Sequence, residues 1–312
     1  MTININGHLL DFDKPLVMGI INVTPDSFYA GSRLSVTPAP QSSVPASPAA
    51  DGVADASASE SPSPLLARAR RMLEAGATIL DIGAVSTRPG AAPVSADEEL
   101  RRLETPLAAL REAFPNVLLS VDTFRACVAR RVVSDFGVQI INDVSAGALD
   151  PELFTAVADL RVPYVLTHSG GFADTALEAA SPSSSSASSF LPSVARFFAD
   201  RLQQLYALGV TDVILDPGFG FGKTLEENYA LMRGLPDLIH LFPDNPFLVG
   251  VSRKSMVYKL LDTSPDEALN GTTALHTLAL QAGAHILRVH DVPEAVQVVR
   301  IMQALLASNP QP

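Results

Sequence analysis

The chain has 312 residues and a formal net charge of -11, with a sequence pI near 4.9. This acidic balance argues against nucleic-acid binding, and an anionic ligand would have to meet a local positive site instead. A hydrophobic share of 47% is enough to bury a sizeable core. The single cysteine, Cys127, excludes a disulfide framework and a cysteine metal cluster. The N-terminus has no secretory pattern and no apolar run reaches about 18 residues, so we expect a soluble, cytoplasmic protein with no membrane partner.

The chain begins with a hairpin signal and contains two segments of low complexity. Residues 2–12 alternate around Asn6-Gly7, which is the strongest short-range signal for a β-hairpin. From 32 to 64 the composition is dominated by Ser, Ala and Pro, and 181–189 is a second such stretch. Both predict disordered insertions within a single domain spanning 1–312, because these segments carry too little apolar surface to fold.

Strand-like and helix-like segments alternate through the rest of the chain. Ser63-Pro64 marks a helix start, Ser95 has Glu98 three residues later, and Pro106 is expected to break or kink the helix begun there. Six or more strands would also fit an open doubly wound sheet. Eight strands, with a hairpin to plug one end, favour a closed α/β barrel of the (β/α)8 TIM type. The strand-like runs lie at 16–23, 78–83, 117–122, 139–144, 163–168, 212–216, 246–251 and 285–290.

A glycine-rich turn follows the predicted strand at 212–216. Asp216 ends the strand, glycines stand at 218, 220 and 222, and Thr224 with Glu227 has the spacing of a capping box. The turn is neither a Walker A loop nor a dinucleotide fingerprint, because the required glycines are replaced by Pro217 and Lys223. The pattern indicates a strand-end carboxylate beside backbone that can approach a ligand closely.

All eight predicted strands end in polar residues. A single strand-end Asp or Asn more often caps the next helix, and a lone histidine such as His168 is more often a core residue. In a barrel, however, these ends converge on one face, and buried polar groups cost about 1–3 kcal/mol each unless they are paired. A functional mouth is therefore the better interpretation. The strand-end residues are Asn22, Asp81, Asp122, Asn142, Asp143, His168, Asp216, Ser252, Arg253, Arg288 and His290.

Within this mouth the residue types divide into two subsets. Arg288 and His290 share one face of a strand, and with Arg88 and Lys254 they would hold an anion such as a diphosphate. The second subset is Asp122, Asn142 and Asp216, whose acceptors and amide suit a flat heterocycle with amino and ring N–H groups. The histidines and carboxylates lack metal-ligand spacing, so no structural zinc is expected.

Eight motifs, taken together and in order, resemble the dihydropteroate synthase family over about residues 12–306. The resemblance implies a transferase of folate biosynthesis on a (β/α)8 barrel, with Mg2+ and usually a homodimer. Its members join 6-hydroxymethyl-7,8-dihydropterin diphosphate to para-aminobenzoate and release pyrophosphate and 7,8-dihydropteroate. The motifs are Met18–Phe28, Gly76–Gly83, Ser86–Gly90, Ser120–Thr123, Ile140–Val144, Leu215–Lys223, Val249–Ser255 and Arg288–Asp291.

The resemblance also implies a role for individual residues. The carbon–oxygen bond to the diphosphate breaks first in this family, and Asp122 and Asp216 would stabilise the resulting pterin cation while Mg2+, Arg288 and His290 neutralise the leaving group. The catalytic set is thus Asp122, Asp216, Lys254, Arg288 and His290. The pterin would be bound by Asp122, Asn142, Asp216 and Lys254, the diphosphate by Asn22, Thr87, Arg88, Arg288 and His290, the metal by Asn22, and para-aminobenzoate by Phe28, Thr87, Pro89, Phe221, Lys254 and Ser255.

Four positions depart from the usual pattern of the family. Ala30, Val85, Thr167 and Ser169 replace an acidic residue, a polar residue and two methionines respectively. These departures leave two alternatives open beside the synthase. One is a non-catalytic pterin-binding paralogue, and the other is a folate-dependent methyltransferase of the related barrels.

Overall fold

The barrel is visible directly in the strand order. The computed structural model describes residues 1–23, 63–85, 94–170 and 187–307, with side chains of the last range from residue 190. Within these ranges one sheet is formed by eight parallel strands, β3 (Leu16–Asn22), β4 (Ile79–Gly83), β5 (Leu118–Asp122), β6 (Ile140–Asp143), β7 (Tyr164–Thr167), β8 (Val213–Asp216), β9 (Leu248–Val249) and β10 (Ile286–Val289). They pair in the order β8-β7-β6-β5-β4-β3-β10-β9.

The sheet closes on itself between β8 and β9. Leu215 forms a parallel bridge with Phe247, and its backbone N–H donates to the Pro246 carbonyl at 2.8 Å. The first and last strands of the order are therefore neighbours. This closure confirms the predicted (β/α)8 barrel and excludes the open doubly wound sheet.

Alternation along the strands produces two apolar cores. On β4, Ile79 faces the barrel axis while Leu80 and Ile82 face the surrounding helices. The outer core is sealed by the helices that follow the strands. These helices are α1 (Pro64–Glu74), α2 (Ala96–Ala113), α3 (Ala126–Phe136), α4 (Leu153–Leu160), α5 (Ala187–Ala207), α6 (Leu225–Arg233), α7 (Leu235–Leu241), α8 (Ser255–Tyr258), α9 (Leu269–Gln281) and α10 (Val292–Ala307), with a 3-10 turn at Pro265–Glu267.

The predicted hairpin plugs the amino end of the barrel. Strands β1 (Thr2–Ile5) and β2 (His8–Asp11) pair antiparallel around Asn6 and Gly7, whose φ angles of 51° and 86° fit a tight hairpin turn. Ile3, Ile5 and Phe12 belong to the inner apolar core, at the end of the barrel opposite the carboxyl ends of the strands. Only the carboxyl end of the barrel is therefore left to hold a polar site.

One sequence-based expectation needs correction. Pro106 was predicted to break or kink α2 and does not break it, because the buried Leu103, Leu107 and Leu110 on one face hold the helix to the barrel through the proline. The predicted helix start at Ser63-Pro64 is confirmed, since Ser63 caps α1, and α5 begins at Ala187, inside the second predicted insertion. Most of both insertions, residues 32–62 and 181–186, lies outside the described ranges. None of the described helices is long and apolar enough to cross a membrane.

Candidate active site at the barrel mouth

The strand register places polar side chains beside one another at the carboxyl ends. Gly83 on β4 lies opposite Asn22 on β3 and Asp122 on β5, and Asp122 lies opposite Asn142 on β6. A methyl group built on Gly83 would lie 3.6 Å from Asn22 Oδ1 and 3.7 Å from Asp122 Cβ. Gly83 therefore leaves room for about one methyl group between an amide and a carboxylate.

Asp216 is fixed by the glycine-rich turn that follows it. Its Oδ1 accepts a hydrogen bond from Gly218 N at 2.8 Å, and only 4% of the residue is exposed. Gly218 has a φ of +69°, and a Cβ there would lie 1.9 Å from the His168 carbonyl oxygen. The turn can approach the end of the neighbouring strand β7 only because Gly218 has no side chain.

Lys223 holds the same turn from its other end. Its Nζ donates to the carbonyl oxygens of His168 and Gly218 at 2.8 Å each, and to that of Phe221 at 3.4 Å. Burial lowers the pKa of Lys223 to about 7, although Asp216 acts in the opposite direction. The Lys223 ammonium thus supports the backbone of the site.

Lys254 crosses the mouth from the loop after β9. Its Nζ donates to the Phe219 carbonyl and lies 4.2 Å from the centroid of the Phe221 ring. Burial lowers the pKa of Lys254 to about 8, while the charge of Asp216 raises it. Ser255, the first residue of α8, follows directly. Lys254, Phe221 and Ser255 therefore border one side of the mouth.

Arg288 joins three strands at the centre of the mouth. Its Nε donates to Asp81 Oδ2 at 2.7 Å, and one terminal nitrogen donates to Asp122 Oδ2 at 3.0 Å. Asp81 also accepts from the Ser120 hydroxyl at 2.6 Å and from Asn142 Nδ2 at 3.1 Å. Sequence reasoning included Asp81 among the strand ends but gave it no role, and it did not single out Ser120. The inward parity of both residues on their strands was the available signal.

Burial and charge act against each other on the carboxylates. Burial raises the pKa of Asp122 to about 7, with Arg288 lowering it and Asp81 raising it further. Burial also raises the pKa of Asp216, and Lys254 opposes this. Burial by itself lowers the pKa of Arg288, but Asp81 and Asp122 outweigh that effect and raise it. Arg288 is therefore charged throughout the range in which Asp122 titrates.

His290 is a neutral group at the edge of the mouth. Burial, followed by the charges of Arg288 and Arg68, lowers the pKa of His290 to about 4. Its backbone N–H donates to Ser252 Oγ at 3.2 Å. At neutral pH the imidazole can donate or accept a hydrogen bond, and it would gain charge only if an anion came close.

The structure brings most of the predicted residues together and leaves others apart. His168 packs its ring against Phe197 at 4.9 Å, so it is a core residue rather than part of the mouth. Asp143 faces the outer core, where it accepts from the Tyr164 hydroxyl at 2.6 Å. Phe28, Thr87, Arg88 and Pro89 lie outside the described residues. The strand ends and the loops after them carry Asn22, Asp122, Asn142, Asp216, Phe221, Lys254, Ser255, Arg288 and His290.

A closed barrel whose paired carboxylates, amide and cations meet at the carboxyl ends of the strands has the architecture of a barrel enzyme site. Comparison with known proteins defines it further. The family model described as pterin binding enzyme matches residues 49–290. A dihydropteroate synthase of Escherichia coli strain K12 is 37% identical over 305 residues, which cover 97% of this chain and 96% of the relative.

Two solved structures agree with this relationship. A Yersinia pestis dihydropteroate synthase in complex with a sulfonamide drug has a TM-score of 0.79 at 37% identity, and covers 99% of this chain and 100% of its own. A Xanthomonas albilineans dihydropteroate synthase with 4-aminobenzoic acid has a TM-score of 0.76 at 35% identity, covering 98% of both chains. The chain therefore belongs to the dihydropteroate synthase family of pterin binding enzymes.

Proposed function

We propose that the chain joins 6-hydroxymethyl-7,8-dihydropterin diphosphate to para-aminobenzoate, releasing pyrophosphate and 7,8-dihydropteroate in folate biosynthesis. The observation that carries the proposal is the cluster of buried Asn142 and Asp216 with half-buried Asp122 and Lys254 at one barrel mouth. Carboxylates, an amide and an ammonium group within a low-dielectric site match the donors and acceptors along the edge of a pterin. Membership of the synthase family supports the same reaction.

The pterin and diphosphate ends of the substrate would meet at Arg288. Its hydrogen bond to Asp122 at 3.0 Å puts a cation beside the group proposed to bind the pterin. The neutral imidazole of His290 lies two residues further along, at the edge of the mouth. A diphosphate arriving there would meet the Arg288 charge and an imidazole that can donate one hydrogen bond. Thr87 and Arg88 belong to the same proposal.

Para-aminobenzoate would bind on the side bordered by Lys254, Phe221 and Ser255. The Lys254 ammonium lies over the Phe221 ring at 4.2 Å, so a cation, an aromatic surface and a hydroxyl occur together there. That combination suits a benzoate, whose ring can pack on Phe221 and whose carboxylate can accept from Lys254 or Ser255. Phe28, Thr87 and Pro89 complete the proposed pocket.

The residues present fit a magnesium ion that is held mainly by the substrate. Asn22 is exposed at the end of β3 and offers an amide oxygen, the type of donor that Mg2+ accepts. No group of three or more His, Cys, Asp or Glu side chains able to hold a metal occurs among the described residues. Asn22 would therefore share the ion with diphosphate oxygens, where Mg2+ supplies charge neutralisation for the leaving group.

The chemical steps follow from the charges in the mouth. The carbon–oxygen bond breaks and the diphosphate leaves with the electron pair, so positive charge develops on the pterin. Asp122 and Asp216 are already in place to stabilise that charge, which needs no reorganisation at the moment of reaction. The amine nitrogen of para-aminobenzoate then forms the new carbon–nitrogen bond, and its proton passes to the released pyrophosphate or to water.

The cytoplasmic location and the homodimeric state expected from the sequence belong to this proposal. Ile301 and Leu306 on α10 are 66% and 67% exposed and offer an apolar surface for a second copy. Light scattering on the purified chain would measure the mass in solution. A monomer at all concentrations would count against the dimer.

The experiment that tests the function is product formation from the two substrates with Mg2+. Dihydropteroate and pyrophosphate should appear in equal amounts. If no product forms, the same protein is titrated with pterin diphosphate by calorimetry. Binding without turnover would replace the synthase by the non-catalytic paralogue, and absence of binding would reject both.

A further inference from the structure

We infer that Asp81 is a positioning residue for pterin recognition, an inference that rests on the function proposed above. Asp81 is fully buried on β4, and its side chain lies one layer below the residues that face the mouth. Its carboxylate accepts hydrogen bonds from Ser120 on β5, Asn142 on β6 and Arg288 on β10. This carboxylate links the strands that carry two of the proposed pterin-binding groups, Asp122 and Asn142, to the strand of Arg288.

Asp81 determines which way the amide of Asn142 points. A carboxylate only accepts hydrogen bonds, so Asp81 Oδ2 selects the amide nitrogen of Asn142, which lies at 3.1 Å. The amide oxygen is then turned away from Asp81 and remains an acceptor for a ligand N–H group. Without this selection an asparagine can present either end, and half of the recognition of a pterin edge would be lost.

Asp81 also determines how Arg288 engages Asp122. A guanidinium facing one carboxylate tends to form a bidentate pair that occupies both oxygens. Here Nε is held by Asp81 at 2.7 Å, and a terminal nitrogen reaches Asp122 Oδ2 at 3.0 Å. The second oxygen of Asp122 is outside this contact. The same terminal nitrogen also lies 2.7 Å from Asp81 Oδ2, so Asp81 holds the guanidinium in a position from which its ion pair with Asp122 uses Oδ2 of that carboxylate.

The position of Asp81 makes this arrangement rigid. Below it lie apolar residues of the inner core, including Ile79, Ile140 and Ile286, so the carboxylate cannot turn toward water. A buried charge is tolerated only when it is paired and hydrogen-bonded. Ser120 supplies the bond to Oδ1 at 2.6 Å, which fixes the rotation of the carboxylate itself.

The first test compares Asp81→Asn with Asp143→Asn. Asp143 is an equally buried strand-end carboxylate that faces the outer core and accepts from Ser145 and Tyr164. Both variants should lose similar thermal stability. Asp81→Asn should raise the Kd for pterin diphosphate, measured by calorimetry with Mg2+, at least about tenfold. It should change the KM for para-aminobenzoate less than twofold. Asp143→Asn should change neither this Kd nor this KM more than twofold.

A smaller deletion covers the case in which Asp81→Asn does not fold. Ser120→Ala removes the 2.6 Å bond to Asp81, and Ser145→Ala removes the matching 2.7 Å bond to Asp143. Ser120→Ala should weaken pterin affinity about threefold, whereas Ser145→Ala should leave it unchanged. Equal effects of the matched variants, or unchanged affinity in the Asp81 and Ser120 variants, would overturn the inference. Wild-type protein that neither binds nor turns over the pterin would instead reject the proposed function.

Discussion

A terminal nitrogen of Arg288 lies 3.0 Å from Asp122 Oδ2, and these two residues were assigned to different ligands by residue type alone. Arg288 was expected to hold an anion and Asp122 a heterocycle. Their ion pair means that the two halves of the proposed substrate would be bound by groups that interact electrostatically with each other. A change in the charge of either residue should therefore affect both the pterin and the diphosphate.

Replacing Asp122 should mainly reduce the rate of the chemical step. Asp122→Asn keeps the size of the side chain but removes the charge that would stabilise the pterin cation, so kcat should fall roughly 100- to 1000-fold. Steady-state assays with both substrates would measure this. Asp159→Asn, at an exposed ion pair with Arg130, is the control and should have normal turnover. Near wild-type kcat in the Asp122 variant would reject its assigned role.

The pH dependence of kcat/KM should be bell-shaped and narrow. The pKa of Asp122 is raised to about 7, so the fraction of ionised carboxylate, and with it activity, falls as the pH drops through that value. The pKa of Lys254 is lowered to about 8, so its positive charge is lost above that pH. Because kcat/KM reports the ionisation of the free enzyme, these are the values to compare. A flat profile between pH 5.5 and 9 would contradict the assignment.

Removing Arg288 should destabilise the fold in a pH-dependent way. Arg288→Ala leaves the carboxylates of Asp81 and Asp122 without their cation, which should cost about 3–5 kcal/mol of unfolding free energy near neutral pH. The pKa of Asp122, which burial already raises to about 7 against the charge of Arg288, would rise further above the unfolded value of about 3.9, so stability falls as the pH rises through this range. Urea denaturation at pH 5 and pH 8 should show the larger loss at pH 8.

Arg130→Ala provides the comparison for that experiment. Arg130 pairs with Asp159 on the surface, with side-chain exposures of 44% and 58%. Its removal should cost less than about 1 kcal/mol at either pH. A loss in Arg288→Ala as small as this, or one independent of pH, would show that the carboxylates do not depend on Arg288.

Thr167 should be replaceable by valine with a gain in stability. Its Oγ1 is buried without a hydrogen-bond partner among the described residues, so Thr167→Val should raise the unfolding free energy by about 1 kcal/mol. Thr272 is equally buried, but its hydroxyl accepts from Arg253 N at 3.1 Å. Thr272→Val should therefore destabilise the protein. Thermal unfolding would distinguish the two, and a loss of stability in both would reject the argument.

Two glycines with similar backbone angles should differ in their tolerance of alanine. Gly218 and Gly209 have φ angles of +69° and +83°. A Cβ added at Gly218 would lie 1.9 Å from the His168 carbonyl oxygen, whereas a Cβ added at Gly209 would have no atom within 4 Å. Gly209→Ala should cost about 1 kcal/mol from backbone strain alone. Gly218→Ala should cost about 3 kcal/mol and displace Asp216 as well. Equal stability of the two variants would mean that the close approach is not important.

The sequence was informative wherever a property is set by neighbours along the chain. The Asn6-Gly7 hairpin, the Ser63 cap and the Thr224–Glu227 capping box formed as predicted, because each depends on backbone within a few residues. The helix break predicted as one outcome at Pro106 does not occur, for the opposite reason. Its effect on α2 was decided by packing of the helix against the barrel, which outweighs one missing N–H donor.

By itself the sequence determined the eight-strand repeat, the polar strand ends and the family, since alternation and motif order are properties of the chain. Only the tertiary structure decided which polar residues act together. The register between neighbouring strands and the closure between β8 and β9 turn Asp81, Asp122 and Arg288 toward one another, while the same alternation turns Asp143 outward. These charges share a low-dielectric space because of contacts between residues up to 207 positions apart in the chain. The order of residues in a single sequence does not give the distances between such residues.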